Sequence, residues 1–303
     1  MRLGLGLPVS GTWATPDTMR HVAVRADELG FDSLWAFQRL LHPVDDDWGS
    51  AYHSVQDPLA SLAFTAAVTS RIRLGVAVLM APYYAPIVLA KALTTIDALS
   101  CGRLDVGIGL GWSAQEFEAV GVGMERRGAR AEDFVACLKA VWGPDPVEHH
   151  GEFYDVPRSR VEPKPVQSPH PPLLMGGGAD AALRRIGRIA DGWISSSRTD
   201  LTTIGTSVDV VKAAAVEAGR DPEAMRFVVR GVVRLTDEPT AGEARIPLQG
   251  TADQIREDLH GLTLHGVTEV FLDLNWDDSV VGAADPRAAL ANAERVLSEL
   301  APR

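Results

Sequence analysis

Arg103-Leu104-Asp105-Val106-Gly107-Ile108-Gly109-Leu110-Gly111-Trp112, with Glu116-Phe117 close behind, is the stretch on which the fold is decided. The apolar run from Leu104 to Ile108 reads as a buried strand, the glycines at 107, 109 and 111 as the turn that ends it, and Ser113 as the start of a helix. Glycines at such a turn let a flat ligand or a phosphate come close to backbone N–H groups. The spacing is not the dinucleotide fingerprint, which needs its third glycine elsewhere and an acid further on. The device recurs at Gly176-Gly177-Gly178-Ala179, between the short apolar run Leu173–Met175 and a helix that begins at Asp180.

Outward from this unit, strand and helix signals alternate along the chain. Arg2–Leu7, Ser33–Phe37, Ile72–Leu79 and Arg103–Ile108 read as strands one to four, followed by Leu173–Met175, Trp193–Ser195, Phe227–Leu235 and Glu269–Leu274. Thr15-Pro16 opens the first helix, with Thr15 as N-cap, and Gly30 ends it. Further helices are expected from Asp57 to about Thr69 and over Pro86–Leu99, Ser113–Val120, Ala131–Trp142, Asp180–Ala190, Ser207–Ala218, Thr251–His265 and Pro286–Leu300. The alternation is interrupted at about 143–172, where a hairpin turning at Gly151 leads into a proline-rich link, read as a loop across the barrel mouth. Strand-helix units repeated in this way predict a single (β/α)8 TIM-type barrel over 1–303 with that insertion between strands four and five, ahead of a doubly wound sheet. Function is then expected at the C-terminal ends of the strands.

The chain has 303 residues, 46% hydrophobic and 23% charged, within the range of one such barrel. A net charge of -11 speaks against nucleic-acid binding. No apolar stretch has the length of a membrane span, and two cysteines suit a reducing cytoplasm. Adjacent His149 and His150 on a strand point to opposite faces, and no Cys/His cluster suggests zinc, so no metal is expected.

Four segments together resemble the luciferase-like flavin/deazaflavin family: Gly30-Phe31-Asp32-Ser33-Leu34-Trp35; Arg73 to Leu79 with Pro86 after it; Gly109-Leu110-Gly111-Trp112 with Glu116-Phe117, Gly121 and Arg127-Gly128-Ala129-Arg130; and Pro171 to Gly178 with Ala190-Asp191-Gly192-Trp193. The Gly-x-Gly-Trp-x-x-x-Glu-Phe segment is most similar to the coenzyme F420-dependent oxidoreductases, common in actinobacteria. The resemblance implies a flat apolar slot for a tricyclic ring at the barrel mouth, built from Leu7 and Pro8, Phe37 and Gln38, Ala77, Val78 and Met80, with Gly109, Leu110 and Gly111 beside it. It implies a non-prolyl cis peptide at Ala77–Val78 against that ring. The N–H groups at Gly176, Gly177, Gly178 and Ala179 are candidates to hold a phosphate. Gly177→Asp would then abolish coenzyme binding and leave the fold intact. Arg184, Arg185 and Arg188 on the next helix read as a solvated face.

This chain departs from relatives that carry an acid and a histidine after strand two, because Gln38 and Arg39 stand there. Arginine stays protonated and is no ordinary general base. Arg39 would bind an anionic substrate or stabilise a reduced ring, or else pair with the acidic loop Asp45-Asp46-Asp47. Trp112 would cover ring or substrate, or simply pack at the rim. Gln38, Arg39 and Trp112 are therefore the candidate catalytic residues. The expected function is hydride transfer between coenzyme F420 and a small organic substrate, in a cytoplasmic homodimer. An FMN-dependent monooxygenase is the alternative, and a non-catalytic flavin-binding protein the third reading.

Overall fold

The computed structural model describes residues 1–302 apart from 241, 243 and 244. Eight parallel strands close into a barrel in sequence order: β1 Arg2–Gly6, β2 Ser33–Ala36, β3 Arg73–Met80, β4 Leu104–Gly109, β5 Leu173–Gly176, β6 Gly192–Ile194, β7 Arg226–Val232 and β8 Glu269–Asp273, the last pairing with β1. Around it run α1 Pro16–Leu29, α2 Pro58–Val68, α3 Pro86–Leu99, α4 Ala114–Ala119, α5 Arg127–Trp142, α6 Asp180–Ile189, α7 Ile204–Glu217, α8 Ala252–Leu264, α9 Asp278–Val281 and α10 Pro286–Glu299. This is the expected (β/α)8 architecture.

Local chemistry starts and stops the helices. Thr15 accepts from the Thr18 N–H at 3.2 Å ahead of Pro16, and Asp57 from the Ala60 N–H at 2.9 Å ahead of Pro58. A Thr251/Gln254 capping box opens α8. Gly30, at φ 89°, closes α1 in the left-handed conformation.

Every second strand residue points into the barrel, and these residues stack in layers. At the N-terminal ends lies an ionic layer. Asp105 accepts from Arg73 at 2.6 and 2.9 Å and from Arg226 at 2.6 and 3.1 Å, and Glu269 accepts from Arg226 at 2.8 Å and from Ser33 at 2.6 Å. Burial alone would raise the Asp105 carboxyl, but the Arg226 charge and the hydrogen bonds from Arg73 and Arg226 hold it below the usual carboxylate range. Above this layer Trp35 stacks on Phe271 at 5.4 Å, packed with Leu174 and Val228. Trp35 lies against the β3 backbone because residue 75 is glycine, where a Cβ would stand 2.3 Å from the ring. The larger core fills the space between barrel and helices.

Three expectations differ from the structure. The proline-rich link crosses the N-terminal end of the barrel and not its mouth. Gln167 donates to Asp97 and to the Leu104 carbonyl, both at 2.7 Å, and accepts from Arg73 at 3.1 Å, which ties the link to the first residues of β3 and β4. The reason is topological: α5 returns to that end and β5 must begin there. The inserted hairpin itself pairs Val147–His150 with Asp155–Ser159. Helix α5 starts at Arg127 and not Ala131, since Gly128 is tolerated inside it, where a Cβ would meet the Arg185 guanidinium at 2.5 Å. The seventh strand leaves the barrel at Val232, and Arg234–Leu235 pairs instead with Gln249–Gly250.

Candidate active site

The decisive glycines act first on the neighbouring strand. The Ala77–Val78 peptide is cis, as the resemblance implied, and the β3–β4 register shifts between Val76 and Leu79. A Cβ at Gly107 would stand 2.1 Å from the Val76 carbonyl oxygen, and one at Gly109 2.4 Å from the Val78 side chain. The two glycines therefore admit the irregular backbone of β3 before they admit any ligand. Gly111, at φ 76°, makes the turn, and Arg127 donates to its carbonyl at 3.0 Å.

Where β2 ends, Phe37, Gln38 and Arg39 pass over the mouth. Gln38 accepts from the Met80 N–H at 2.8 Å and donates to the Tyr84 hydroxyl. Its amide thus fastens the end of β2 to the end of β3, and a neutral amide so occupied has no proton to give or take. Burial, with a smaller contribution from Asp57, pushes the Tyr84 hydroxyl up to about 12. Arg39 does not reach Asp45, Asp46 or Asp47 and pairs with Glu116, Nε to Oε1 at 3.4 Å. Glu116, in the first turn of α4, also accepts from the Leu40 N–H at 2.7 Å and from the Tyr83 hydroxyl at 3.0 Å. Burial and the Glu116 charge raise the Tyr83 pKa, so this phenol stays protonated.

Opposite Arg39, β7 presents Arg230. Its guanidinium donates to the Ala77 carbonyl of the cis peptide, and its Nε lies 3.4 Å from Asp273. Phe37, Phe271 and Trp276 surround it at 4.4–5.4 Å. Burial lowers the Arg230 pKa against the opposing charge of Asp273. Burial likewise raises that of Asp273, opposed by Arg230 and by bonds from Asn275. Ser195 accepts from the Arg230 N–H at 3.0 Å.

These parts enclose a cavity of about 270 Å³ at the C-terminal ends of the strands. Of the candidates named from sequence, Phe37, Gln38, Arg39, Ala77, Val78, Met80, Gly109, Leu110, Gly111, Trp112, Gly176 and Gly177 line it. Leu7 and Pro8 do not: Leu7 is fully buried in the core, its carbonyl taken by Asn275 at 2.9 Å. Gly178 and Ala179 lie past the rim, exposed at the start of α6. Sequence reading passed over Arg230, Tyr52 and Ile194 as lining residues. Arg230 had a signal, an arginine at an inward position of the otherwise apolar run Phe227–Val233. Arg184 pairs with Asp180 at 2.9 Å, and Arg185 and Arg188 both pair with Glu132 at 2.9 Å, so none forms a rim for the cavity. Among the described lining residues there is no carboxylate, histidine, lysine or cysteine, and among all described residues no metal-ligating cluster. The chemistry on offer is two buried cations, three serine hydroxyls, a tyrosine and an apolar slot.

Comparison with known proteins agrees with this arrangement. The model of the luciferase-like monooxygenase family matches residues 3–276. An uncharacterized protein of Mycobacterium tuberculosis is 38% identical over 233 residues, 73% of this chain and 80% of its own length. An FMNH(2)-dependent dimethylsulfone monooxygenase of Pseudomonas putida is 31% identical over 77% of this chain and 61% of its own. An F420-dependent glucose-6-phosphate dehydrogenase of Kineococcus radiotolerans is 32% identical over 64% of this chain and 57% of its own. The same fold is seen in an F420-dependent secondary alcohol dehydrogenase, TM-score 0.79 at 16% identity, over 99% of this chain and 98% of that one. Relatives of both coenzyme types thus surround the sequence. The chain belongs to the luciferase-like monooxygenase family.

Proposed function

We propose that the protein is a coenzyme F420-dependent oxidoreductase acting on a small organic substrate. The observation that supports it is the make-up of the cavity: an apolar slot between Val78 and Ile194, the buried Arg230 beside it, and no carboxylate, histidine, lysine or cysteine among the described lining residues. Arg230, tied to the Ala77 carbonyl, sets a buried cation against that flat wall. Both suit a planar ring rich in acceptor oxygens. When bound, the deazaflavin would supply hydride donation and acceptance at its ring. The chain's own residues do the rest. Ala77, Val78, Gly109 and Ile194 wall the ring and exclude water, and Arg230 fixes the wall through the Ala77 carbonyl and favours negative charge next to it. The first N–H groups of α6 have no intrahelical partner and would hold the coenzyme's phosphate.

The 31% identical relative that uses reduced FMN favours FMN as the alternative coenzyme. Titration of the purified protein with F420 and with FMN, followed by cofactor fluorescence and thermal shift, separates the two. Hundredfold excess over the dissociation constant of the true coenzyme should stabilise the fold by about 2.7 kcal/mol. Tighter binding of FMN would overturn the F420 assignment.

The phosphate end has its own test. Gly177→Asp is a poor probe, because a Cβ at Gly177 would stand 2.7 Å from the Ala182 Cβ and disturb α6. A Cβ at Gly178 meets nothing within 4 Å. Gly178→Asp should therefore leave the melting temperature nearly unchanged and weaken coenzyme binding at least ~10-fold, about 1.4 kcal/mol, by placing a negative charge at the helix N-terminus. Unchanged affinity would remove the phosphate from this turn.

A further inference from the structure

Arg39 is the part of the mouth that a coenzyme slot leaves unexplained. Its side chain is 3% exposed, lines the cavity, and is boxed by aromatic rings: the guanidinium carbon lies 4.8 Å from the Trp112 ring centre, 5.0 Å from Tyr52 and 5.3 Å from Trp48. Ring faces offset the charge of a guanidinium but accept none of the hydrogens that lie in its plane. Glu116 is the nearby carboxylate, yet its 3.4 Å approach to Nε misses hydrogen-bond geometry, and its oxygens already serve Leu40 and Tyr83. Nη1 is left with no acceptor among the described residues. A buried guanidinium with an unmet in-plane donor is costly unless a ligand supplies the acceptor. The acceptors that best suit an arginine fork are planar or trigonal oxyanions. Around it, Trp48, Tyr52 and Trp112 offer apolar faces, and Trp112 is 45% exposed at the rim. Arg198, exposed and 5.9 Å from the Trp112 ring, adds positive charge at the entrance.

We infer that the substrate carries an anionic oxygen group, a carboxylate or sulfonate, on a small apolar body. Arg39 anchors the oxyanion, and Tyr52 and Trp112, which line the cavity, pack the body, with Trp48 behind them against Arg39 and Trp112. In calling the ligand a substrate this rests on the oxidoreductase reading above; the recognition of the anion by Arg39 does not.

The test uses three probes of one shape, benzoate, benzenesulfonate and benzamide, read by tryptophan fluorescence in the wild type, Arg39→Ala and Arg39→Lys, with coenzyme affinity measured separately in each. The two anions should bind at least ~10-fold more tightly than benzamide. Arg39→Ala should weaken the anions at least ~10-fold, to the level of benzamide, and change coenzyme affinity less than twofold. Arg39→Lys, which keeps the charge and loses the planar fork, should fall between them. Benzamide binding as well as benzoate, or anion binding unchanged in Arg39→Ala, would overturn the proposal. So would a loss of coenzyme affinity as large as the loss of anion affinity, since Arg39 would then serve the coenzyme. If Arg39→Ala does not fold by circular dichroism, Arg39→Gln, planar and uncharged, takes its place with the same outcomes. Failure of the wild type to bind either coenzyme would sink the oxidoreductase reading and leave the anion comparison intact.

Discussion

Asp105→Asn is expected to cost about 3–5 kcal/mol of stability in urea or thermal unfolding, because it removes the charge that two guanidiniums share. Arg73 and Arg226 converge on this one carboxylate with four hydrogen bonds of 2.6–3.1 Å, and Asp105 is fully buried. An amide offers one oxygen and no charge, so both arginines would stand at the bottom of the barrel with half their partner gone. The wild-type ion layer also has a pH signature. The folded-state pKa of Asp105 lies below its value in the unfolded chain, about 3.9, so its contribution is fully present above that pH. It is lost as pH falls through the folded value. Acid unfolding below about pH 4 should therefore be steeper in the wild type than in Asp105→Asn. A variant of wild-type stability at pH 7 would mean that the layer is filler and not a brace.

The second large effect is expected at the mouth. Arg230→Met keeps the bulk of the side chain and removes its charge, leaving Asp273 buried beside apolar rings and the Ala77 carbonyl without its donor. Removing one partner of such a pair costs on the order of 3–5 kcal/mol at neutral pH. Coenzyme affinity should fall at least ~10-fold as well, since the wall of the slot loses its tie and the ring its neighbouring cation. The sign of the pH dependence is opposite to that of Asp105. Burial places the Asp273 pKa above its unfolded value, so its ionisation on going to higher pH works against the fold. Loss of Arg230 raises that pKa further. The stability deficit of Arg230→Met should therefore shrink as pH falls and Asp273 takes up a proton. A deficit independent of pH would show that Asp273 is already neutral in the wild type.

The contrast between Arg230 and Gly109 shows how far the amino-acid order could be read. Strand and helix positions are local properties. The apolar run before Gly109, the Thr15-Pro16 cap and the end at Gly30 each act within a few residues, and the barrel follows from their repetition. Gly107 and Gly109 were legible as positions where something must come close, but what comes close is the Val76 carbonyl and the Val78 side chain. The charges at Arg226, Arg230, Glu269 and Asp273 fall on alternate residues, the inward face of their strands, within runs that otherwise read as plain buried strand.

What the sequence determined by itself was therefore the architecture, the family likeness, the end of the barrel at which the cavity opens and the strand ends that line it. Periodicity and capping are short-range and carry that information directly. Partners across the barrel were decided only by the tertiary structure. Arg39 turns to Glu116 and three aromatic rings and away from the acidic loop six residues on, and Gln38 is spent on Met80 and Tyr84. Leu7 goes to the core, and Arg230, from a distant strand, takes the Ala77 carbonyl. The physical reason is that a buried charge takes whatever partner the closed barrel brings within reach, and sequence separation carries almost no information about which partner that is.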